Sequence, residues 1–292
     1  MVLEVEGAAQ RDRQLRADLW LFFITVIWGS TFVLVKDTLS SLGPFSLVAL
    51  RFTVGLIALM VLFGRRLRRA SGREIAAGAL IGLFLFGGYA FQTVGLKYTS
   101  AAKSGFITGL SIVIVPIIAY LVLRHRPGVG AVLGVVSATA GLALLTLKAD
   151  LSIEYGDLIT MGCTIAFALQ IVLVGKFAPR MDAVVLTMAQ IATVSLVSAL
   201  LAGYSESIIL PLPLEAWAAV FFLGLAATAL TFSIQTVAQK STTPTHAALI
   251  FSLEPVFSLV FAYLLAGETL TGRALVGSAL IVLGMIMAEL KR

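Results

Sequence analysis

One cysteine, two histidines and a charged fraction of 12% leave this chain little of the chemistry that soluble enzymes and metalloproteins use. With Cys163 alone, a disulfide within the chain and a cysteine-based metal site are both excluded. His125 and His246 fall at the ends of apolar runs, and no HExxH, GxSxG or glycine-rich phosphate loop accompanies them. Aspartate occurs only at the ends of those runs, so no second carboxylate accompanies the one deep acid, Glu254. An enzyme, a bound metal and a cofactor are therefore not expected. The net charge of +6 comes from short loops and ends, with no basic stripe interleaved with aromatics. That pattern orients a membrane protein and does not suit nucleic acid.

What is there is apolar. Hydrophobic residues make up 59% of the 292, and the mean hydropathy is +1.02. A soluble domain carries about 25% charged residues, so lipid must solvate most of this surface. Arg11, Arg13 and Arg16 precede an apolar stretch of about 20 residues, longer than the 7–15 of a signal peptide core, so the first span is expected to be retained.

A hydrocarbon core of about 30 Å takes roughly 20 helical residues. Runs near that length lie at 19–36, 45–63, 75–96, 101–123, 129–147, 156–176, 183–203, 215–237, 245–266 and 273–289. Turn residues separate them at Gly43-Pro44, Pro127-Gly128, Pro179, Pro211 with Pro213, and Gly267. Thr243-Pro244 is a helix start, a capping threonine before a proline at the first helical position. The fold class expected is an all-α integral membrane protein of ten transmembrane helices.

Residues 92–142 recur without a gap at 235–285. Gln92-Thr93-Val94 returns as Gln235-Thr236-Val237 and Ala119-Tyr120-Leu121 as Ala262-Tyr263-Leu264. Lys97 matches Lys240, Thr99 matches Thr242, Gly134 matches Gly277 and Gly141 matches Gly284. Apolar matches arise by chance in such a chain, but a constant register across Gln, Lys, Thr, Tyr and Gly does not. Five spans per repeat is an odd number, so the two halves must be inverted, an architecture of secondary transporters. The expected divisions are residues 1–18 as a cytoplasmic N-terminal segment, 19–148 as the first repeat and 155–290 as the second.

Lys and Arg orient the spans. One side would hold Arg11, Arg13, Arg16, Arg65, Arg66, Arg68, Arg69, Arg73, Arg124, Arg126, Lys176, Arg180, Lys240, Lys291 and Arg292. The other would hold Lys36, Lys97, Lys103, Lys148 and Arg273, beside Asp150, Glu154, Asp157 and Glu206. A bias of about three to one makes both termini cytoplasmic by the positive-inside rule.

Trp28-Gly29-Ser30-Thr31-Phe32 followed by Lys36, then Leu50-Arg51-Phe52, then Leu253-Glu254-Pro255-Val256-Phe257 and Gly267-Glu268-Thr269-Leu270 form an ordered set. In that order and spacing the chain, over about residues 18–290, resembles the EamA-type branch of the drug/metabolite transporter superfamily. The resemblance implies ten spans in two inverted halves and a central cavity built chiefly from helices 1, 3, 4, 6, 8 and 9. It also implies export of small metabolites, often amino acids, across the bacterial inner membrane. The first half departs from symmetry, since Glu254 corresponds to Ser111 and Glu268 to His125.

Charges deep in a span cost about 2.5–3.5 kcal/mol on insertion scales and point to function. Glu254 lies near the midplane of its span, as a proton or cation relay, a partner for a substrate ammonium, or a structural acid bonded to a neighbouring helix. Arg51 is the other deep charge, and it either holds a substrate carboxylate, snorkels outward or ties loops together. Tyr89, Gln92 and Thr93 can share a helix face, as can Thr231, Gln235 and Thr236. Thr160, Thr164, Phe167 and Gln170 form a mixed stripe, and Trp28 adds an indole N–H. Together Trp28, Tyr89, Gln92, Thr93, Thr164, Phe167, Gln170, Thr231 and Gln235 are the candidate substrate-binding set, against ordinary interhelical bonding as the alternative. Gly87-Gly88 is the candidate hinge.

The expected function is a secondary exporter working by alternating access, with a small-molecule substrate, the lipid bilayer and protons as its partners. A sugar-phosphate or nucleotide-sugar carrier is the rival within transport; a lipid-handling or scaffold protein is the rival outside it.

Overall fold

The structure is a computed structural model that describes residues 2–124, 127–146, 154–206, 212–266 and 271–290. Expectations that fall on His125, Arg126, Lys148, Asp150, Pro211, Gly267–Leu270, Lys291 and Arg292 lie outside the described residues. Among the described residues there are helices and no strands.

The helices follow the expected spans closely. Span 1 is α1 (Val2–Gly29) with α2 (Thr31–Thr38), span 2 is α3 (Pro44–Phe63) and span 3 is α4 (Gly72–Leu96). Span 4 is α5 (Ala101–Gly109) with α6 (Ser111–Leu123), and span 5 is α7 (Val129–Thr146). Span 6 is α8 (Tyr155–Phe177) and span 7 is α9 (Ala183–Ser205). Span 8 is α10 (Leu214–Gly224), a π-helical stretch (Leu225–Leu230) and α11 (Thr231–Ala238). Span 9 is α12 (Pro244–Phe251) with α13 (Glu254–Ala266), and span 10 is α14 (Gly272–Leu290). Eight of the ten are long and apolar enough to cross a membrane; Val129–Leu144 and Gly272–Ala288 are shorter apolar helices. Alternation of ten spans puts Val2 and Leu290 on one face, called here the terminal face, opposite the distal face.

Caps set the helix starts. Ser71 accepts from the Glu74 N–H while Glu74 reaches back to Ser71, Ser100 accepts from Lys103 and Thr243 from His246. Helix α1 runs back to Val2, so residues 2–18 extend the first span on the terminal face.

Four irregularities were not expected from the apolar runs. Spans 1, 4 and 9 break at Ser30, Leu110 and Ser252-Leu253, where backbone N–H groups turn to the carbonyl three residues back (Ser30 to Ile27, Leu110 to Ile107, Leu253 to Ile250). The Ser30 and Ser252 hydroxyls also bond the local backbone, at 2.7 and 2.6 Å, and so compete with the helical ladder. Leu110 and Leu253 are counterparts in the repeat, so spans 4 and 9 break alike, whereas span 6, the counterpart of span 1, is the continuous α8. The π stretch of span 8 has no such counterpart, because α4 is continuous through Gly87 and Gly88.

Close packing joins the halves. A Cβ on Gly134 of α7 would lie 2.5 Å from the Gly284 carbonyl oxygen of α14, and one on Gly141 would lie 2.5 Å from that of Gly277. The repeat exchanges these two contacts, so a pseudo-two-fold axis passes between α7 and α14. Glycine is needed there because the backbones touch. Outside, exposed Leu19, Val61, Leu121, Leu200 and Val276 give the spans an apolar, lipid-facing surface.

Candidate functional site: a central cavity lined by repeat counterparts

A cavity of about 80 Å³ lies between the halves. Its walls come from Thr31, Phe32 and Val35 of α2, Tyr89 to Leu96 of α4 and Gly105 to Gly109 of α5, which places it toward the distal face. On the terminal side a dry cluster including Leu21, Ile24, Val115, Val172, Ala238 and Ala248 closes it. Counterpart residues share its lining. Tyr89 and Phe232, Gln92 and Gln235, and Ser111 and Glu254 all line the cavity and are related by the main repeat register.

Of the sequence-derived set, Trp28, Tyr89, Gln92, Thr93, Phe167, Gln170, Gln235, Glu254 and Arg51 line this one cavity. Thr164 and Thr231 do not. The Thr164 hydroxyl donates to the Ile107 carbonyl at 2.9 Å, and Thr231 sits behind Trp28, accepting from its indole at 3.1 Å. Gly87 and Gly88 lie against α8 instead. A Cβ on Gly87 would meet Ala166 at 3.5 Å, and one on Gly88 would run into the Phe167 ring.

The aromatic walls form a connected set. Tyr89 meets Phe52, Phe167 and Phe232 edge-on at 5.0, 5.5 and 6.2 Å, and Trp28 meets Phe251 at 5.2 Å. Such edge-to-face pairs fix ring orientations as well as bury area.

Arg51 does not snorkel and ties no loops. It is 3% exposed, and its Nε and Nη2 donate to the Thr228 hydroxyl at 3.1 and 3.0 Å. Nη2 also reaches the Ala227 carbonyl at 3.3 Å, and the guanidinium lies 4.8 Å from the Tyr89 ring centre. Both acceptors belong to the π stretch, a rare i→i+5 turn that is frequent at functional sites. Ala227 accepts from the Trp28 indole as well, at 3.2 Å.

Glu254 begins α13 at the break in span 9, and among the described residues its carboxylate makes no hydrogen bond or ion pair. The reading of a structural acid bonded to a neighbouring helix therefore finds no bond.

Toward the terminal face the polar lining continues as a buried glutamine ladder. Gln170 donates to Gln190 at 3.3 Å and exchanges bonds with Gln235, which donates to Gln239 at 3.2 Å. Gln239 in turn donates to the Ile171 carbonyl at 3.0 Å. Sequence reasoning missed Gln190, Gln239 and the cavity-lining Thr31, Thr108 and Ser252. The four-residue step from Gln235 to Gln239 was a usable signal for one of these.

Comparison with known proteins decides the family. The sequence profile of the EamA-like transporter family matches residues 15–147 and 154–290, one copy per half. The chain belongs to the EamA-like transporter family. An uncharacterized transporter of Archaeoglobus fulgidus is 31% identical over 99% of this chain and 91% of its own length. The uncharacterized transporter YyaM of Bacillus subtilis is 27% identical over 95% of this chain and 94% of its own. A protein of known crystal structure shares the fold, with a TM-score of 0.79 at 23% identity over 94% of this chain and 98% of that one. This EamA-like protein is thus a multi-pass membrane transporter of about ten helices, and its cavity lies between the two matched copies.

Proposed function

We propose that this EamA-like transporter exports zwitterionic or neutral metabolites, amino acids foremost, across the bacterial inner membrane by alternating access. The terminal face is cytoplasmic in this reading, as the Lys and Arg excess there requires. The observation that carries it is the charge inventory of the cavity. Glu254 faces the cavity without a partner, whereas Arg51 has committed Nε and Nη2 to span 8. One available carboxylate suits a substrate ammonium or a proton, and one largely engaged guanidinium suits at most one carboxylate. A sugar phosphate or nucleotide sugar would need several free cations.

Alternating access is supported by the presence of repeat counterparts in one cavity lining. When one half rocks against the other, the same kinds of side chain line the opening on either face. The sequence carries no ATPase motif, so the energy comes from a gradient, with Glu254 as the relay where protons drive export.

Uptake of a labelled amino-acid panel into proteoliposomes, with and without an imposed pH gradient, tests this. Saturable uptake of neutral members is expected, and accumulation against a gradient would establish proton coupling. Glu254→Gln should then abolish accumulation and spare exchange; accumulation retained in that variant removes Glu254 from coupling. No uptake of any member by folded protein would sink the amino-acid reading.

A further inference from the structure

Spans 1 and 6 have a repeat register of their own. Asp18-Leu19 returns as Asp157-Leu158, Thr25 as Thr164, and Val33-Leu34-Val35 as Val172-Leu173-Val174. Together with the register of the later spans, in which Lys103 corresponds to His246, this makes two ion pairs counterparts. On the distal face Lys103 Nζ of α5 lies 3.5 Å from Asp157 Oδ2 of α8. On the terminal face His246 Nε2 of α12 lies 3.0 Å from Asp18 Oδ2 of α1. Each pair joins one half to the other, at opposite faces.

Lys103 and His246 each occupy the third position of a capped helix, where the backbone N–H of each meets Ser100 or Thr243. A cation in the first turn faces the positive end of the helix dipole, so the opposing aspartate is what holds it. The chemistry then diverges. Lysine stays charged through the physiological range, whereas histidine changes charge between about pH 5 and 8. The distal pair is also reinforced, since Lys103 meets Glu154 at 2.9 Å and the Thr99 hydroxyl donates to Asp157. On the terminal face Leu15 stands in place of Glu154. Thr242, the counterpart of Thr99, makes no hydrogen bond with its hydroxyl among the described residues.

A pocket of about 590 Å³ opens at the same face, between Gln14 of α1 and Thr243 and Thr245 at the start of α12, one turn or less from the pair along each helix. Arg13 and Lys240 line that pocket. The other ionisable groups of the packed elements at this face are Arg16, paired with Asp12 at 2.9 Å, Tyr120 and Arg124 at the end of α6, and Lys176 on the last turn of α8. Described side chains of α7 and α14 bring no charge to it. Among these groups Asp18 is the carboxylate placed against His246.

We infer that Asp18 and His246 form a proton-operated latch: a proton on His246 holds span 1 to span 9 at the terminal face, and its loss releases them. A neutral imidazole keeps at most a hydrogen bond to Asp18 and loses the ion pair. The consequence for transport rests on the alternating-access reading, but the test does not.

The full chain, reconstituted with spin labels at Gln10→Cys and Ser241→Cys in a Cys163→Ala background, reports the separation of spans 1 and 9 by pulsed dipolar spectroscopy. The mean distance should lengthen as pH rises from 5 to 8.5, and His246→Lys should hold it short at every pH. The same distance at all pH values in the parent, or an undiminished response in His246→Lys, overturns the latch. The reciprocal Lys103→His, labelled at Lys97→Cys and Tyr155→Cys, covers a His246→Lys that fails to fold. It should gain a pH response at the distal face, and no gain counts against the latch. Failure of the amino-acid panel would leave these distances as they are.

Discussion

Arg51 of α3 is fastened to Thr228 of the π stretch by two hydrogen bonds, at 3.1 and 3.0 Å. The only charge buried in span 2 is thereby tied to the π stretch of span 8, which the counterpart α4 lacks. Thr228→Val keeps the shape and removes the acceptor, leaving a buried guanidinium short of partners. Hydrogen bonds to charged groups contribute about 1.5–3 kcal/mol, and a loss of that size is expected, read as a lower thermal midpoint in detergent. An unchanged midpoint would mean that the Ala227 carbonyl and the Tyr89 ring suffice.

Glycines differ sharply in what they permit. Gly134→Ala and Gly141→Ala push a methyl against a backbone carbonyl across the α7–α14 crossing, and overpacking of this kind costs about 1–3 kcal/mol. Gly87→Ala meets only Ala166 at 3.5 Å and gains helix propensity of up to about 1 kcal/mol. Fluorescence-detected size exclusion after heating should rank Gly87→Ala at or above the parent and the other two below it. Equal midpoints for all three would refute the close crossing.

Gln92 and Gln235 are counterparts with unequal engagements. Gln92 donates to Thr108 at 2.9 Å, whereas Gln235 is bonded to both Gln170 and Gln239. Replacing each with leucine should therefore cost about 1 kcal/mol for Gln92 and roughly three times that for Gln235, which exchanges two bonds with Gln170 and donates one to Gln239, at about 1 kcal/mol per bond lost. Thermal unfolding of the two variants side by side checks the order.

Asp182, between spans 6 and 7, supplies an acid-sensitive tie. Burial raises its carboxyl pKa, but Arg66 and the N–H groups of Val184 and Val185 outweigh that and hold it below the ordinary value. A depressed carboxyl contributes stability above its unfolded pKa of about 3.9 and loses it as pH falls through the folded value. Arg66 is 55% exposed, so the ion pair is worth under about 1 kcal/mol. The midpoint gap between parent and Asp182→Asn should be widest near neutrality and narrow as pH falls below the ordinary carboxyl value toward the lower folded one. A gap that persists undiminished in acid would remove the ion pair from the explanation.

The number, limits and inversion of the spans could be read from the chain because each has a local cause. A bilayer demands about 20 apolar residues per crossing, turn residues end each run, and a duplicated register survives in residues that are not interchangeable. The cavity was partly legible for the same reason, since Trp28, Gln92, Gln235 and Glu254 are polar or amphipathic groups in apolar runs. Hydropathy cannot see which side chains meet. Thr164 and Thr231 fit their helical stripes yet turn to Ile107 and Trp28. Arg51 was open to three readings until the π stretch of span 8 presented Thr228 and Ala227 to it. Ser30, Leu110 and Ser252 break spans that look uniformly apolar, because a local bond three residues back competes with the helical one only slightly. Composition and period are one-dimensional quantities and determined the spans; partnership depends on positions far apart in the chain, and only the packed helices decided it.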